Sequence, residues 1–350
     1  MERAAIILAG GQAKRFQVKG GKWTDKALAK LFGKPLLIHV IEKVKPVVEE
    51  IVICVNNEAR RLRYSKLLQE FSIENVKICI DRKFACMEGP LAAIATGLKS
   101  ANADYCIMLP CDTPLIQPAV IDYLFNVAEG SYMAVPIHPD GRIESLMIVC
   151  ERLKTCQIAE ALCELRRDRP DDIIRGVSRI NFVSTVGELK ELDPEFKSFI
   201  NINFREDLTR LPTRVVENGP IRESIHLKLG SPAEWELNKL KEGSKLIFEG
   251  KFLEAHIIFS ALSTRLERGR LNFWAGLCRE KEGDILLGLL NRRGDAKMRE
   301  YCYVKGRAAF MKAAENYASE AEVYEKNHVD FLARRARADE LWCQRRVNNF

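Results

Sequence analysis

The chain has 350 residues, 47 % apolar and 29 % charged, with 55 basic against 48 acidic side chains and a net charge of +7. This composition excludes a disordered or low-complexity chain and leaves a globular one, long enough for two domains. The positive excess is too small and scattered to point to nucleic acid, though it favours an anionic ligand.

The opening stretch MERAAIILAGG is no signal peptide, because its apolar run is short and passes straight into glycines. No segment reaches the roughly 18 apolar residues that a membrane-spanning helix needs. A cytoplasmic protein with no membrane partner is expected. The eleven cysteines lie singly, often in apolar runs (Cys54, Cys79, Cys106, Cys150), and no C-x-x-C occurs. They read as small buried hydrophobes in a reducing compartment, not as a disulfide or metal framework. The histidines lack metal spacing, and His39, on an apolar helix, reads as structural.

Residues 4–8 form a short apolar run without helical period, the pattern of a strand buried on both faces. Leu8, Ala9, Gly10 and Gly11 lead out of it. A backbone with few β-carbons can turn several N–H groups toward one anion and form a phosphate nest. Lys14 and Arg15 follow within reach of a triphosphate. The plainer reading is a tight turn with glycines present for φ alone. A P-loop is excluded, since G-x-x-x-x-G-K-[ST] is absent, and a dinucleotide turn is unsupported without G-x-G-x-x-G.

Residues 17–24 are polar and glycine-bearing and are expected to form a flap. Lys26 follows, either a solvated lysine or one that neutralises charge at an α-phosphate under attack. Pro35 suits the first turn of a helix carrying Leu36, Leu37, Val40, Ile41 and Val44. Strands are expected over 51–55, 76–80, 105–109, 133–135, 141–149 and 180–184. Helices are expected over 60–71, 87–98, 121–128 and 153–165. This alternation implies a mostly parallel sheet covered by helices, in which ligands bind beyond the carboxyl ends of the strands. The glycine loop, Asp81 and Asp112 all fall at such ends.

Asp112 is fixed between Pro110 and Pro114. Mg²⁺ takes one or two carboxylates plus water and phosphate oxygens, so one aspartate opposite a triphosphate loop suffices. The alternative is that Asp112 or Thr113 caps the next helix. Asp81 either ends its strand or contacts base, sugar or second substrate. Asn201 and Asn203 alternate with apolar neighbours and either satisfy an edge turn or reach metal or phosphate.

The first domain is expected to close near residue 211, with a linker over 212–232 and a helical domain over 233–350. Gly243, Gly250, Ala255 and Phe259 have the small-and-aromatic spacing of a tetratricopeptide helix pair, and a plain bundle is the alternative. The tail's mildly basic surface suits a protein partner at least as well as RNA. Deleting residues 233–350 is expected to leave nucleotide binding intact.

In order, LAGGQAKRF, TDKALAKLFGKPLLIHV, EGPLAAI, PCDTPLI and FININFREDL resemble the molybdenum cofactor guanylyltransferases, nucleotidyltransferases of glycosyltransferase-A-like fold. The resemblance covers residues 1 to about 211. It implies a three-layer α/β/α domain that binds GTP with Mg²⁺ and transfers GMP to the phosphate of molybdopterin, releasing pyrophosphate. By matching position, Leu8, Ala9, Gly10 and Gly11 would hold the nucleotide and Lys26 its phosphates. Asp81 would contact the guanine nucleotide and Asp112 would hold Mg²⁺. Arg15, Lys26 and Asp112 form the expected catalytic set. Gly10 directly after Ala9, where cytidylyl relatives usually have a second alanine, leans toward guanine. The longer link between Arg15 and Asp25, the segment Glu144-Ser145-Leu146 and the helical tail depart from the family pattern. The rival readings are cytidylyl transfer to molybdopterin, transfer to cobinamide phosphate or a sugar phosphate, and a nucleotide-binding scaffold whose tail recruits a partner.

Overall fold

A computed structural model describes residues 1–17, 20–21, 23–84, 89–213, 219–291 and 295–348. Parts of the expected flap and linker, and Glu88 of the EGPLAAI segment, lie outside them. The chain forms two compact units, one of residues 1–160, 168–170 and 179–227, the other of 161–167, 171–178 and 228–350.

The first unit is built on an eight-stranded sheet. Its strands are β1 (Arg3–Leu8), β4 (Glu50–Val55), β5 (Val76–Ile80), β6 (Tyr105–Pro110), β7 (Met133–Ile137), β8 (Ile148–Glu151), β9 (Arg179–Ser184) and β10 (Ile225–Lys228). They lie in the order β10-β9-β7-β8-β6-β1-β4-β5. A separate hairpin joins β2 (Lys30–Leu31) to β3 (Lys34–Pro35). Strands β6, β1, β4 and β5 run parallel, as the alternation implied. The strand expected over 141–149 is shorter and later, and β8 runs antiparallel to both β6 and β7. Strand β10 lies within the stretch read as linker.

Residues Ala4 to Ile7 are wholly buried because helices cover both faces of β1. Ala5 and Ile7 share a core with α1 (Leu36–Val44), α2 (Glu58–Glu70) and α4 (Pro118–Ala128). Ile6 faces the other way, onto α3 (Pro90–Ser100). That approach is so close that a Cβ on Gly97 would stand 2.3 Å from Cγ2 of Ile6. Parallel register then sets the site. Leu8 pairs with both Cys54 and Pro110, and Val55 with Ile80, so the residues just past these strands emerge along one edge. Helix α5 (Arg152–Glu164) starts in this unit, and α7 (Glu188–Leu192) follows β9.

The second unit contains α8 (Glu234–Phe248), α9 (Phe252–Arg268), α10 (Asn272–Leu290), α11 (Ala296–Lys326) and α12 (Asp330–Asn348), each packed on the next. It also takes in the last turn of α5 and α6 (Asp171–Gly176), which the expected boundary at 233 had assigned to the first domain. Helix lengths of 15, 17, 19, 31 and 19 residues lend the tetratricopeptide reading no support. Gly243 and Gly276 are accounted for by close helix contacts, against Phe259 and Tyr317 respectively.

A buried ion-pair network ties α6 into this unit. The Arg175 guanidinium meets Glu320 through two 2.7 Å bonds, Asp172 at 3.0 Å and Asp339 at 2.7 Å. Arg167 reaches the same Asp172 and Asp339, at 2.8 and 2.9 Å. Burial pushes Asp172 and Asp339 up, but the two arginines outweigh it and hold both below the ordinary carboxylate value. Glu320, where burial prevails, stays above it. Among the described residues no helix is long and apolar enough to cross a membrane.

Candidate active site

The sheet edge opens into a cavity of about 470 Å³ lined by Leu8, Ala9, Gly10, Gly11, Lys26, Asp81 and Asp112. All the residues expected to hold the nucleotide and metal therefore meet in one place. Arg15 does not join them: it is exposed on the short turn Lys14–Phe16, and Gln12 and Ala13 line the wall instead.

The glycines are not there for φ. Neither Gly10 nor Gly11 has positive φ, and the left-handed residue of the loop is Ala13, at φ 46°. Gly10 is required by close approach, since a Cβ there would lie 2.9 Å from Oδ2 of Asp81 and 3.1 Å from the Asn56 nitrogen. Gly11 has open space around it.

Lys26 is not the solvated lysine its composition suggests. It is only 9 % exposed, with its ammonium 2.5 Å from Oδ2 of Asp112. The capping reading of Asp112 and Thr113 also fails: Gln117 occupies the N-cap of α4, and the Thr113 hydroxyl donates to the Pro110 carbonyl at 3.0 Å. The Asp112 carbonyl instead accepts from the Ile202 N–H at 2.9 Å. Ile202 packs with Phe16, Leu31 and Leu36, so this alternating segment is a buttress without strand structure. Its flanking Asn201 and Asn203 are outside the cavity lining.

Three buried side chains behind the site were not singled out from the sequence. Asp25, 6 % exposed, accepts from the Tyr64 hydroxyl at 3.0 Å and lies 3.4 Å from Nε of Arg60. Arg60, 5 % exposed, also donates to the Ala9 carbonyl at 3.3 Å, the Gly11 carbonyl at 2.8 Å and Oδ1 of Asn56 at 3.1 Å. Burial pushes the Tyr64 phenol well above its ordinary value, which keeps it a donor. Arg60 and Tyr64 stand four residues apart on α2, hence on one helix face, and that spacing was the available signal. In the cavity lining, burial pushes the Cys111 thiol up to about 12.

Among the described residues no group of three or more His, Cys, Asp or Glu could hold a metal ion. A cation at Asp112 would therefore complete its coordination with ligand and water oxygens, which is how Mg²⁺ usually binds beside phosphates.

Residues 5–179 match the family model of the MobA-like NTP transferase domain. A probable molybdenum cofactor guanylyltransferase from Methanosarcina acetivorans is 29 % identical over 215 residues, 61 % of this chain and 92 % of that protein. A molybdenum cofactor guanylyltransferase from a Shewanella species is 26 % identical over 213 residues, 61 % of this chain and 97 % of its own. Among solved structures, molybdopterin-guanine dinucleotide biosynthesis protein A from Archaeoglobus fulgidus aligns with a TM-score of 0.48 at 22 % identity, covering 59 % of this chain and 95 % of that one.

Proposed function

Because the chain belongs to the MobA-like NTP transferase family, we propose that it transfers GMP from GTP to the phosphate of molybdopterin, with release of pyrophosphate. The observation that carries this reading is the meeting of the glycine loop, Lys26, Asp81 and Asp112 around one cavity. The names of relatives matched over most of their own length, molybdenum cofactor guanylyltransferases, support this choice of acceptor and base.

The chemistry asks for little beyond position and charge. An oxygen of the acceptor phosphate, already anionic, attacks the α-phosphorus of GTP. The new P–O bond forms as the bond to the β-phosphate bridging oxygen breaks, and the electron pair leaves with pyrophosphate. Gly10 and Gly11 present backbone to the triphosphate, Lys26 neutralises charge building on the α-phosphate, and Asp81 abuts the nucleotide beside Gly10. Asp112 would hold a divalent cation, which we take as Mg²⁺ and which would screen the triphosphate and polarise the α-phosphoryl oxygen. Arg15 lies outside the cavity lining, and no step is assigned to it.

The test is pyrophosphate release with Mg²⁺ and each of GTP, CTP, ATP and UTP, with and without molybdopterin, for the wild type and Asp112→Asn. Release only with GTP plus molybdopterin, lost in the variant, is the expected result. Release with another nucleotide would move the chain to a sister specificity. GTP binding without release under any condition would overturn the proposed acceptor.

A further inference from the structure

We infer that Arg60 is a positioning residue for the triphosphate, a clasp behind the glycine loop that aims its amide groups at the ligand. The inference rests on the nucleotidyltransferase reading and adds a residue from α2.

In a trans peptide the carbonyl of one residue and the N–H of the next point in opposite directions. The Arg60 fork draws the carbonyls of Ala9 and Gly11 to itself, at 3.3 and 2.8 Å. The N–H groups of Gly10 and Gln12 must therefore point away from the guanidinium. Gly10 and Gly11 line the large cavity, Arg60 lines a smaller depression with Asn57, Ala59 and Arg63, and Gln12 borders both. Among the described residues none accepts a hydrogen bond from the N–H of Gly10, Gly11 or Gln12. Donors left open beside a cavity, with their neighbouring carbonyls held back, form an anion nest.

The same guanidinium also sets where the nest lies relative to Lys26. Its Nε is 3.4 Å from Asp25, the residue before Lys26, and Asp25 is further held by Tyr64 and by the Ala27 N–H. One planar fork thus ties together the segments that carry the loop amides and the ammonium. A lysine could not do this, because it offers a point charge without a fork. The Trp23 ring, 5.0 Å from the guanidinium carbon, shields this group from water on its outer side.

The experiment compares wild type, Arg60→Lys and Arg60→Gln in binding three probes: GTP, inorganic tripolyphosphate and guanosine. Thermal melting is followed in parallel. Arg60→Lys keeps a cation beside Asp25 and is the variant expected to melt near the wild type, which keeps the test open if Arg60→Gln fails to fold. The expected result is about tenfold weaker binding of GTP and tripolyphosphate, the factor that follows from misaligning one charge-assisted contact, with guanosine unchanged. Tripolyphosphate binding within twofold of wild type in Arg60→Lys would overturn the inference. So would equal weakening of tripolyphosphate and guanosine, which marks a general loosening of the site. A wild type that binds none of the three probes would instead remove the nucleotide reading itself, and this inference with it.

Discussion

The ammonium of Lys26 lies 2.5 Å from Oδ2 of Asp112, and both side chains are mostly shielded from water. Each is thus the other's counter-ion across 86 positions of sequence. Under the proposed function the two must part, the lysine toward phosphate and the carboxylate toward the cation.

This pairing predicts opposite effects on metal and turnover. Lys26→Met frees the carboxylate, so Mn²⁺ titrated without nucleotide should bind several-fold more tightly. Turnover in the same variant should fall by about 10²-fold or more, the usual cost of losing one preorganised charge at a phosphoryl centre. Metal binding that weakens in Lys26→Met would show that the pair does not compete with the cation.

Gly10→Ala should lower GTP affinity by at least about tenfold while the protein still folds. The added methyl would press on the Asn56 backbone and the Asp81 carboxylate, and backbone yields less readily than a flexible side-chain end, so the site distorts at a cost of roughly 1–3 kcal/mol. Gly288→Ala, outside the cavity lining and meeting nothing, is the matched control. Equal GTP affinity in the two variants would contradict the close-approach argument.

Burial decides which ion pairs matter in the second unit. Arg175→Met removes a wholly buried cation from among Glu320, Asp172 and Asp339 and should cost about 3–5 kcal/mol in urea unfolding. Arg337→Met removes a more exposed fork from Glu325 and Glu340 and should cost at most about 1 kcal/mol. The reverse ranking would refute the network's role. By the same logic a chain ended at residue 233 loses Glu320 and Asp339 and leaves Arg167 and Arg175 without them. We therefore expect poor soluble yield from it, in contrast to the harmless truncation that the sequence suggested.

Cys54 and Cys79 face each other on neighbouring strands with sulfurs 3.5 Å apart. The hydrogen bond from Cys54 holds the Cys79 thiol below its ordinary value and leaves the Cys54 thiol well above its own. A lowered thiol ionises at lower pH, so iodoacetamide should modify Cys79 with a pH midpoint below that of a free cysteine. In Cys54→Ala that midpoint should rise. Faster labelling at Cys54 would reverse the assignment.

Much of the first unit was legible because apolar runs of strand length alternate with helical periods, and punctuation such as Pro35 and Gly89-Pro90 marks helix starts. What failed depended on partners far along the chain. The burial of Lys26 follows from Asp112, and nothing near Lys26 announces it. The reversed direction of β8 carries no periodic signature, since an apolar run reads the same either way. Residues 161–178 looked like the end of an α/β domain because Arg167 and Arg175 look like ordinary surface charge until Glu320 and Asp339 are set beside them. At the site, the strand-end rule located Asp81 and Asp112, whereas the clasp from α2 required knowing which carbonyls face that helix.

The buried partners of Arg175 also impose an order on biosynthesis. Glu320 and Asp339 are made 145 and 164 residues after it, which at about 5–20 residues per second is a delay of roughly 10–30 s. Strands β9 and β10 emerge in that interval and can complete the sheet while α6 still waits, charged and solvated, for the helices that will enclose it. The nascent chain therefore has time to assemble the cavity of its first unit before the helices of the second exist.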